Sequence, residues 1–237
     1  MRLIGVGVGP GDPELMTLKG VRALATAGQV FVPVLDPADV GRAEATVRAH
    51  AAHERIERLV FALNEREDAG RREHYWDAAG RRVAEWLRET GGTAAFATIG
   101  DPNVYATFGY LAETVRALLP AVEVETVPGI TAMQALAAAS GRPLVEGGEE
   151  LVLLPLARGD LAPLEEALAR DATVVVYKGG RHMAAIAEAA AGRGAVVGSH
   201  LGLPDEKVRP LDAVDGPLPY LATVLIPAVR ERRGGKL

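Results

Sequence analysis

Three short stretches combine glycine, proline and a polar side chain where an apolar run ends. Gly11-Asp12-Pro13 follows the run LIGVGV, and Gly100-Asp101-Pro102 follows AAFATI. Val127-Pro128-Gly129 follows a third such run and leads into Thr131 and Ala132. Glycine lets a ligand approach the backbone closely, and the free N–H groups at a helix start can bind anions. These strand exits are therefore the first candidates for a functional site.

The two aspartates stand in different contexts. An aspartate at the N-cap with proline at N1 is the expected start of a helix, and Asp12, with Glu14 at N2, is predicted to do this alone. Asp101 also precedes a proline, but it ends a buried strand, where open α/β sheets bind ligands. Tyr105 and Phe108 follow on the next predicted helix and could wall a pocket. We expect Asp101 to belong to a functional site.

Lys178 and Tyr220 are further candidates for chemistry. Lys178 follows the apolar run TVVVY and precedes Gly179-Gly180, which predicts a position at the carboxyl end of a buried strand. There it could bind an acidic ligand or transfer a proton; the alternative is a surface lysine whose stem covers apolar side chains. Tyr220 opens the last predicted strand and has an apolar ring with a polar hydroxyl. For Thr131, a helix cap and a ligand contact both stay open.

The glycines at positions 5, 7, 9 and 11 do not form a dinucleotide fingerprint. G-x-G-x-x-G needs a third glycine five residues after the first, and counted from Gly5 and Gly7 those positions hold Pro10 and Asp12. In a strand, alternate glycines leave one face without side chains. That face could admit a backbone or a flat ligand, or it could pack closely on a helix, and the sequence favours neither.

The composition narrows the classes of function. The 237 residues contain 26 Lys and Arg against 31 Asp and Glu, a net charge of −5, which disfavours a nucleic-acid partner. There is no cysteine, and the five histidines, His50 and His53 among them, show no metal-ligand pattern. Apolar runs stay short of the ~20 residues of a membrane helix. We expect a cytoplasmic protein with no metal site and no membrane partner.

Strand-like and helix-like runs alternate, which predicts mainly parallel sheets covered by helices. The predicted strands are Leu3–Val8, Gln29–Val34, Thr93–Ala97, Val122–Val127, Leu151–Leu154, Thr173–Tyr177, Ala195–Gly198 and Leu221–Ile226. The predicted helices are Leu15–Ala27, Arg71–Glu89, Val104–Leu118, Ile130–Ala139, Leu161–Ala169 and Met183–Ala191. Prolines 204, 210, 217 and 219 indicate a mixed sheet in the second half. We expect two α/β domains, residues 1–118 and 122–237.

Together these stretches resemble the tetrapyrrole methylase family. GVGVGPGDPELMTLKG, TIGDPNVYATFGYL and VETVPGITAMQA are similar to its first three motifs, in the family's order. LVFALNEREDAGRREHYWDAAGRRVAEWL, EGGEELVLLPL, YKGGRH and LPDEKV resemble the members that act on precorrin-2. The resemblance covers nearly the whole chain. It implies two α/β domains, a mainly parallel sheet followed by a mixed one, with the active-site cleft between them.

The resemblance also implies an activity. The family transfers the methyl group of S-adenosylmethionine to carbon and usually forms homodimers, and the expected reaction is methylation of C-20 of precorrin-2 or cobalt-precorrin-2 in cobalamin biosynthesis. One alternative is another carbon of a corrin precursor, or uroporphyrinogen III. A ribose methyltransferase of ribosomal RNA shares the fold, but the acidic balance disfavours it. A nucleotide-binding oxidoreductase is the alternative from a different class.

Site residues carry over from the family by position. The implied S-adenosylmethionine contacts are Pro10, Ile99, Gly100, Asp101, Val104, Tyr105, Thr131, Ala132, Tyr177, Lys178, Leu201 and Gly202. The side chains implied next to the tetrapyrrole are Asp101, Lys178 and Tyr220, the last two as candidate bases. Because the net charge of the chain is negative, positive charge must be concentrated locally to bind the carboxylates of the substrate, and the candidates are Arg142, Lys178, Arg181 and His182. The chain departs from the family at His200-Leu201-Gly202, where an Arg-Ala-Thr-like run is usual, and at Tyr177, where methionine is usual in the nearer relatives.

Overall fold

The structure, a computed structural model, describes residues 1–61 and 69–232. The chain forms two compact units, Met1–Thr131 and Ala132–Leu237. The division falls later than the predicted junction at 119–121, because residues 123–127 pair with the first strand of the first unit. Residues 62–68, part of the LVFALNEREDAGRREHYW stretch, lie outside the described ranges. No helix within those ranges is long and apolar enough to cross a membrane.

The first unit is built on a five-stranded sheet. Its strands are β1 (Arg2–Gly7), β2 (Gln29–Val34), β3 (Ile56–Val60), β4 (Thr93–Thr98) and β5 (Glu123–Val127). All run parallel to their neighbours, in the order β3-β2-β4-β1-β5. The helices are α1 (Leu18–Thr26), α2 (Arg42–Val47), α3 (Ala69–Thr90) and α4 (Phe108–Leu118). The sequence missed β3 and α2, and α4 begins at Phe108 instead of the predicted Val104.

The helices of the first unit cover both faces of its sheet. Side chains of α3 and α4 form one apolar core with Leu3, Phe31 and Phe96, and side chains of α1 and α2 form another with Val6 and Val30. Gly5 lies on the α4 face, where an added Cβ would stand 2.5 Å from the ring of Phe108. For Gly5, the bare face therefore serves close packing of a helix.

The second unit contains a mixed sheet, which confirms the prediction for this half. Its strands are β6 (Leu151–Pro155), β7 (Thr173–Tyr177), β8 (Val196–Ser199), β9 (Lys207–Pro210) and β10 (Thr223–Ile226). The order is β6-β7-β10-β8-β9, with β6 and β7 parallel and the other pairs antiparallel. Helix α5 (Ala132–Ser140) covers one face, while α6 (Ala162–Ala169) and α7 (Met183–Ala189) cover the other.

Candidate active site

The three strand exits of the first unit meet at one edge of its sheet. Strands β4, β1 and β5 are parallel neighbours, so their carboxyl ends lie side by side. The N–H of Gly100 donates to the carbonyl of Gly9 at 2.8 Å. A Cβ on Gly7 would stand 2.5 Å from the carbonyl oxygen of Gly100, and one on Gly129 would overlap the same atom. The exits therefore touch backbone to backbone, which only glycine allows.

Asp101 joins two of these exits. Its carboxyl group is buried, with 9% of the residue exposed. One oxygen accepts the N–H of Asn103 at 2.8 Å, and the other accepts the N–H of Gly129 at 3.0 Å. A charged acceptor makes strong hydrogen bonds of this kind. Asp101 therefore fixes the loop after β4 to the loop after β5, and its approach to a substrate stays a prediction.

The first Gly-Asp-Pro stretch is contacted by α2 and by the residues that follow it. Asp12 accepts the N–H of Glu14 at 2.8 Å, but it caps only a 3₁₀ turn, Pro13–Leu15. The predicted helix begins later, at Leu18, and its N-cap is Thr17. The hydroxyl of Thr46 donates to the carbonyl of Gly11 at 3.2 Å. His50 Nε2 lies 3.1 Å from the carbonyl oxygen of Pro13 and donates to it, because a carbonyl only accepts. Sequence reasoning missed both contacts, since they join residues 35 and 37 positions apart.

A buried carboxylate anchors α2 in turn. Glu44 is 1% exposed, and it accepts hydrogen bonds from Arg58 of β3 at 2.6 Å and from Arg48 at 2.9 Å. Burial by itself raises the pKa of Glu44, but the hydrogen bonds from Arg58 and Arg48 outweigh burial, so the pKa lies below its ordinary value. The ionised carboxylate thereby ties α2 to β3.

In the second unit, the predicted residues lie at one edge of the mixed sheet. Strands β7 and β8 run in the same direction and β10 runs between them in the opposite one. The ends of β7 and β8 and the start of β10 therefore share an edge, which carries Tyr177, Lys178, Leu201, Gly202 and Tyr220.

Two of these loops are packed together. The N–H of Leu218 donates to the carbonyl of Gly180 at 2.8 Å, and a Cβ on Gly180 would stand 2.5 Å from the carbonyl oxygen of Pro219. The segment that carries Tyr220 therefore lies against the loop that follows Lys178.

Several of the predicted contacts already have structural partners. The hydroxyl of Tyr177 accepts the N–H of Met133 at 3.2 Å and so satisfies the first turn of α5. The N–H of Gly202 donates to the carboxylate of Glu206 at 2.7 Å. Leu201 is buried in the core with Leu136, so its side chain is not available to a ligand.

Backbone strain marks the same edges. Four non-glycine residues of the described ranges have a left-handed φ, and three of them follow strands that end at these edges: Tyr105 (51°), Lys178 (60°) and His200 (55°). The fourth, Asp171, precedes β7. Such a conformation costs on the order of 1–3 kcal/mol and is concentrated at functional sites. The strain supports Tyr105 and Lys178 as site residues and adds His200, which the sequence marked only as a departure from the family.

Comparison with known proteins identifies the family of the chain. Residues 2–215 match the family of tetrapyrrole (corrin/porphyrin) methylases. The chain belongs to this family. It is 36% identical over 177 residues to the probable cobalt-precorrin-2 C(20)-methyltransferase of Methanocaldococcus jannaschii, spanning 75% of this chain and 72% of that one. It is 32% identical over 243 residues to the precorrin-2 C(20)-methyltransferase of a Sinorhizobium species, spanning 98% and 97%.

This tetrapyrrole methylase has the same fold as a protein of known structure. The uroporphyrin-III C-methyltransferase of Thermus thermophilus, complexed with S-adenosylhomocysteine, superposes with a TM-score of 0.66 at 24% identity, covering 95% of this chain and 97% of that one. The predicted family and fold class are confirmed, and the chain is an S-adenosylmethionine-dependent C-methyltransferase.

The first unit of this tetrapyrrole methylase fits a ligand held through backbone groups. Gly100 has a φ of 71°, and a Cβ built on it would meet only the Cα of Thr131, at 3.9 Å. The space in front of Gly100 is therefore open, although the loop behind it is tightly packed. Ile99, Asp101 and Val104 flank this opening in the chain, as the family resemblance implies.

Two expectations need correction. Arg142 does not join the candidate site of this methylase, because its guanidinium donates to the carbonyl of Gly194, which precedes β8. That places Arg142 at the edge of the sheet opposite Lys178. Phe108 does not wall an open pocket, because it is 3% exposed and packs in the core against Phe96.

Proposed function

We propose that this tetrapyrrole methylase methylates C-20 of precorrin-2 or cobalt-precorrin-2 in cobalamin biosynthesis, as a cytoplasmic homodimer. The observation that carries the proposal is the likeness to the Sinorhizobium enzyme, which spans 98% of this chain and 97% of that enzyme. The archaeal relative, 36% identical, is named for the same carbon of the cobalt-containing macrocycle. The match thus supports the position of methylation, while the metal content of the substrate differs between the two relatives.

Backbone groups of the first unit are the proposed holders of S-adenosylmethionine. Gly100, with its open side, and Pro10, in the loop bonded to it, would approach the ligand most closely. Thr131 lies beside Gly100 and completes this group. Of the other implied contacts, Tyr105 and Lys178 have the left-handed backbone described above, whereas Ala132, Tyr177, Leu201 and Gly202 stay predictions.

When bound, S-adenosylmethionine supplies a methyl group on a positively charged sulfur. The protein need not create a strong nucleophile, because the macrocycle's meso carbon is electron-rich. Its work is to align the reacting atoms and to exclude water. The substrate carries several carboxylates, so a chain of net charge −5 must concentrate positive charge locally. Lys178, Arg181 and His182, which follow β7 directly, are the proposed partners of those carboxylates.

Two measurements test the function. Calorimetry should show that S-adenosylhomocysteine binds and NAD does not; the opposite result would contradict the proposed binding of the methyl donor. Incubation with precorrin-2 and a ¹³C-methyl donor should add one methyl mass, and NMR should place the label on C-20. Label on another carbon, or methylation of uroporphyrinogen III alone, would replace the proposal with that alternative. Light scattering after size-exclusion chromatography checks the homodimer.

A further inference from the structure

A histidine–aspartate pair stands directly after β8, and the proposed reaction has not used it. The Nδ1 of His200 is hydrogen-bonded to the carboxylate of Asp205, and the histidine side chain is 31% exposed. An ionised carboxylate only accepts, so the hydrogen of this bond lies on Nδ1. Whenever the ring carries a single hydrogen, Nε2 is therefore an acceptor. Across residues 1–61 and 69–232, Nε2 has no hydrogen-bond partner. The ring thus presents an oriented acceptor that no protein group occupies.

The loop that holds the pair is fixed internally. The carbonyl of His200 accepts the N–H of Leu203 at 2.9 Å, and the carbonyl of Leu203 accepts the N–H of Glu206 at 2.9 Å. The carboxylate of Glu206 returns to the N–H of Gly202 at 2.7 Å. This closed turn keeps Asp205 beside His200. His200 itself has a left-handed φ of 55°, which is uncommon in residues other than glycine.

The pair shares its sheet edge with Lys178 and Tyr220. Strand β10 separates β7 from β8, so the backbone of His200 stands about 10 Å from that of Lys178. A lysine ammonium has three donors and no acceptor, which suits Lys178 to the carboxylates of the substrate. The imidazole, by contrast, offers a free acceptor. The two groups therefore complement each other toward an anionic macrocycle.

We propose that His200 accepts the proton that the methylated carbon loses, with Asp205 as its positioning residue; this rests on the proposed function. The carbon–methyl bond forms as the sulfur–methyl bond breaks, which leaves the carbon with both the new methyl and its original hydrogen. The electron pair of that carbon–hydrogen bond then returns to the conjugated ring system. The proton goes to Nε2, and the imidazolium, paired with the carboxylate of Asp205, releases it to water. No oxidant or reductant is needed.

Precorrin-2 carrying tritium at C-20 separates methyl transfer from proton loss. In a single turnover, S-adenosylhomocysteine formation reports the first step, and tritium released to water reports the second. Asparagine tolerates a left-handed φ but is too weak a base to accept the proton. In His200→Asn, the rate of S-adenosylhomocysteine formation should therefore stay within about threefold of wild type, and the rate of tritium release should fall by about 10²–10⁴-fold. His200→Gly should regain tritium release when imidazole is added. Asp205→Asn should slow release less than His200→Asn does.

The controls separate this role from folding and from the proposed function. His74→Gln changes an exposed histidine of α3 and should leave both signals unchanged. In protein without the methyl donor, the Nε2 resonance of His200 should shift when uroporphyrin, a stable carboxylated macrocycle, is added. Tritium release that keeps pace in His200→Asn, or an Nε2 resonance that does not move, overturns the assignment. A wild-type protein that forms no S-adenosylhomocysteine from precorrin-2 overturns the proposed function itself, and the role of His200 with it.

Discussion

Asp101→Asn tests whether this carboxylate positions loops or takes part in chemistry. The substitution preserves shape and leaves one oxygen, which can still accept the N–H of Asn103 at the observed 2.8 Å. In the wild-type protein the other oxygen accepts the N–H of Gly129 at 3.0 Å. The substitution replaces this oxygen with an NH₂ group, which cannot accept that hydrogen bond. Two donors then face each other in a buried place, and the link between the exits of β4 and β5 is lost.

The structure sets the size of the effect. One hydrogen bond to a charged acceptor is removed at a site that is 9% exposed, which costs about 1.5–3 kcal/mol of unfolding free energy. If ligand binding must restore the displaced loop, the binding free energy of S-adenosylhomocysteine is reduced by the same amount. Its Kd should then rise by about 10- to 150-fold. At saturating methyl donor, kcat should change much less, since the loop is then held by the ligand.

Urea unfolding, calorimetry with S-adenosylhomocysteine and steady-state rates provide the three readouts. Asp12→Asn is the matched control, because it alters the other Gly-Asp-Pro stretch, where asparagine caps a turn about as well as aspartate. A kcat that collapses in Asp101→Asn while stability and the Kd for S-adenosylhomocysteine stay at their wild-type values would refute the positioning role. Asp101 would then be a catalytic side chain.

Three further predictions follow from the packing and the charges. Gly129→Ala should destabilise the protein by about 1–3 kcal/mol in urea unfolding, because the added Cβ overlaps a backbone oxygen. Gly109→Ala on α4, where an added Cβ meets open space, should not destabilise it, and equal effects of the two substitutions would contradict this account. Tyr177→Phe removes the acceptor of the Met133 N–H and should cost about 0.5–1.5 kcal/mol, and an unchanged urea midpoint would show that the cap is dispensable. The pKa of Glu44 is lowered on folding, so Glu44 should add to the free energy of unfolding, relative to Glu44→Gln, fully above its ordinary pKa of 4.5 and progressively less as the pH falls below that value. A difference in the free energy of unfolding that stays constant down to pH 3 would be evidence against the ion pairs.

The sequence predicted the elements whose apolar runs are regular and missed those whose runs are interrupted by charge. Strand β3 reads IERLV, and α2 reads RAEATV over six residues. In both, an ionised side chain stands where an apolar one would be expected, because Glu44 and Arg58 are partners of each other. A partly buried ion pair interrupts the apolar pattern of both segments at once, and neither segment shows the reason when it is considered alone.

The location of the candidate site followed from topology more than from any single residue. Parallel strands place their carboxyl ends at one edge, so recognising strand exits in the sequence was sufficient to bring Gly100 and Thr131 together, whereas Pro10 came from the family resemblance. The role of the alternate glycines was not predictable in the same way. Gly5 meets a helix and Gly7 meets the backbone of two other loops, and these neighbours come from distant parts of the chain.

The two Gly-Asp-Pro stretches show where local reasoning ends. In each, one carboxylate oxygen accepts the N–H two residues later, at 2.8 Å in both cases. That turn is a property of the tripeptide and could be predicted. The second oxygen of Asp101 reaches Gly129, 28 residues away, because β1 and β5 follow β4 in the sheet. The same three residues therefore cap a 3₁₀ turn in one place and link two strand exits in the other, and the strand order decides which.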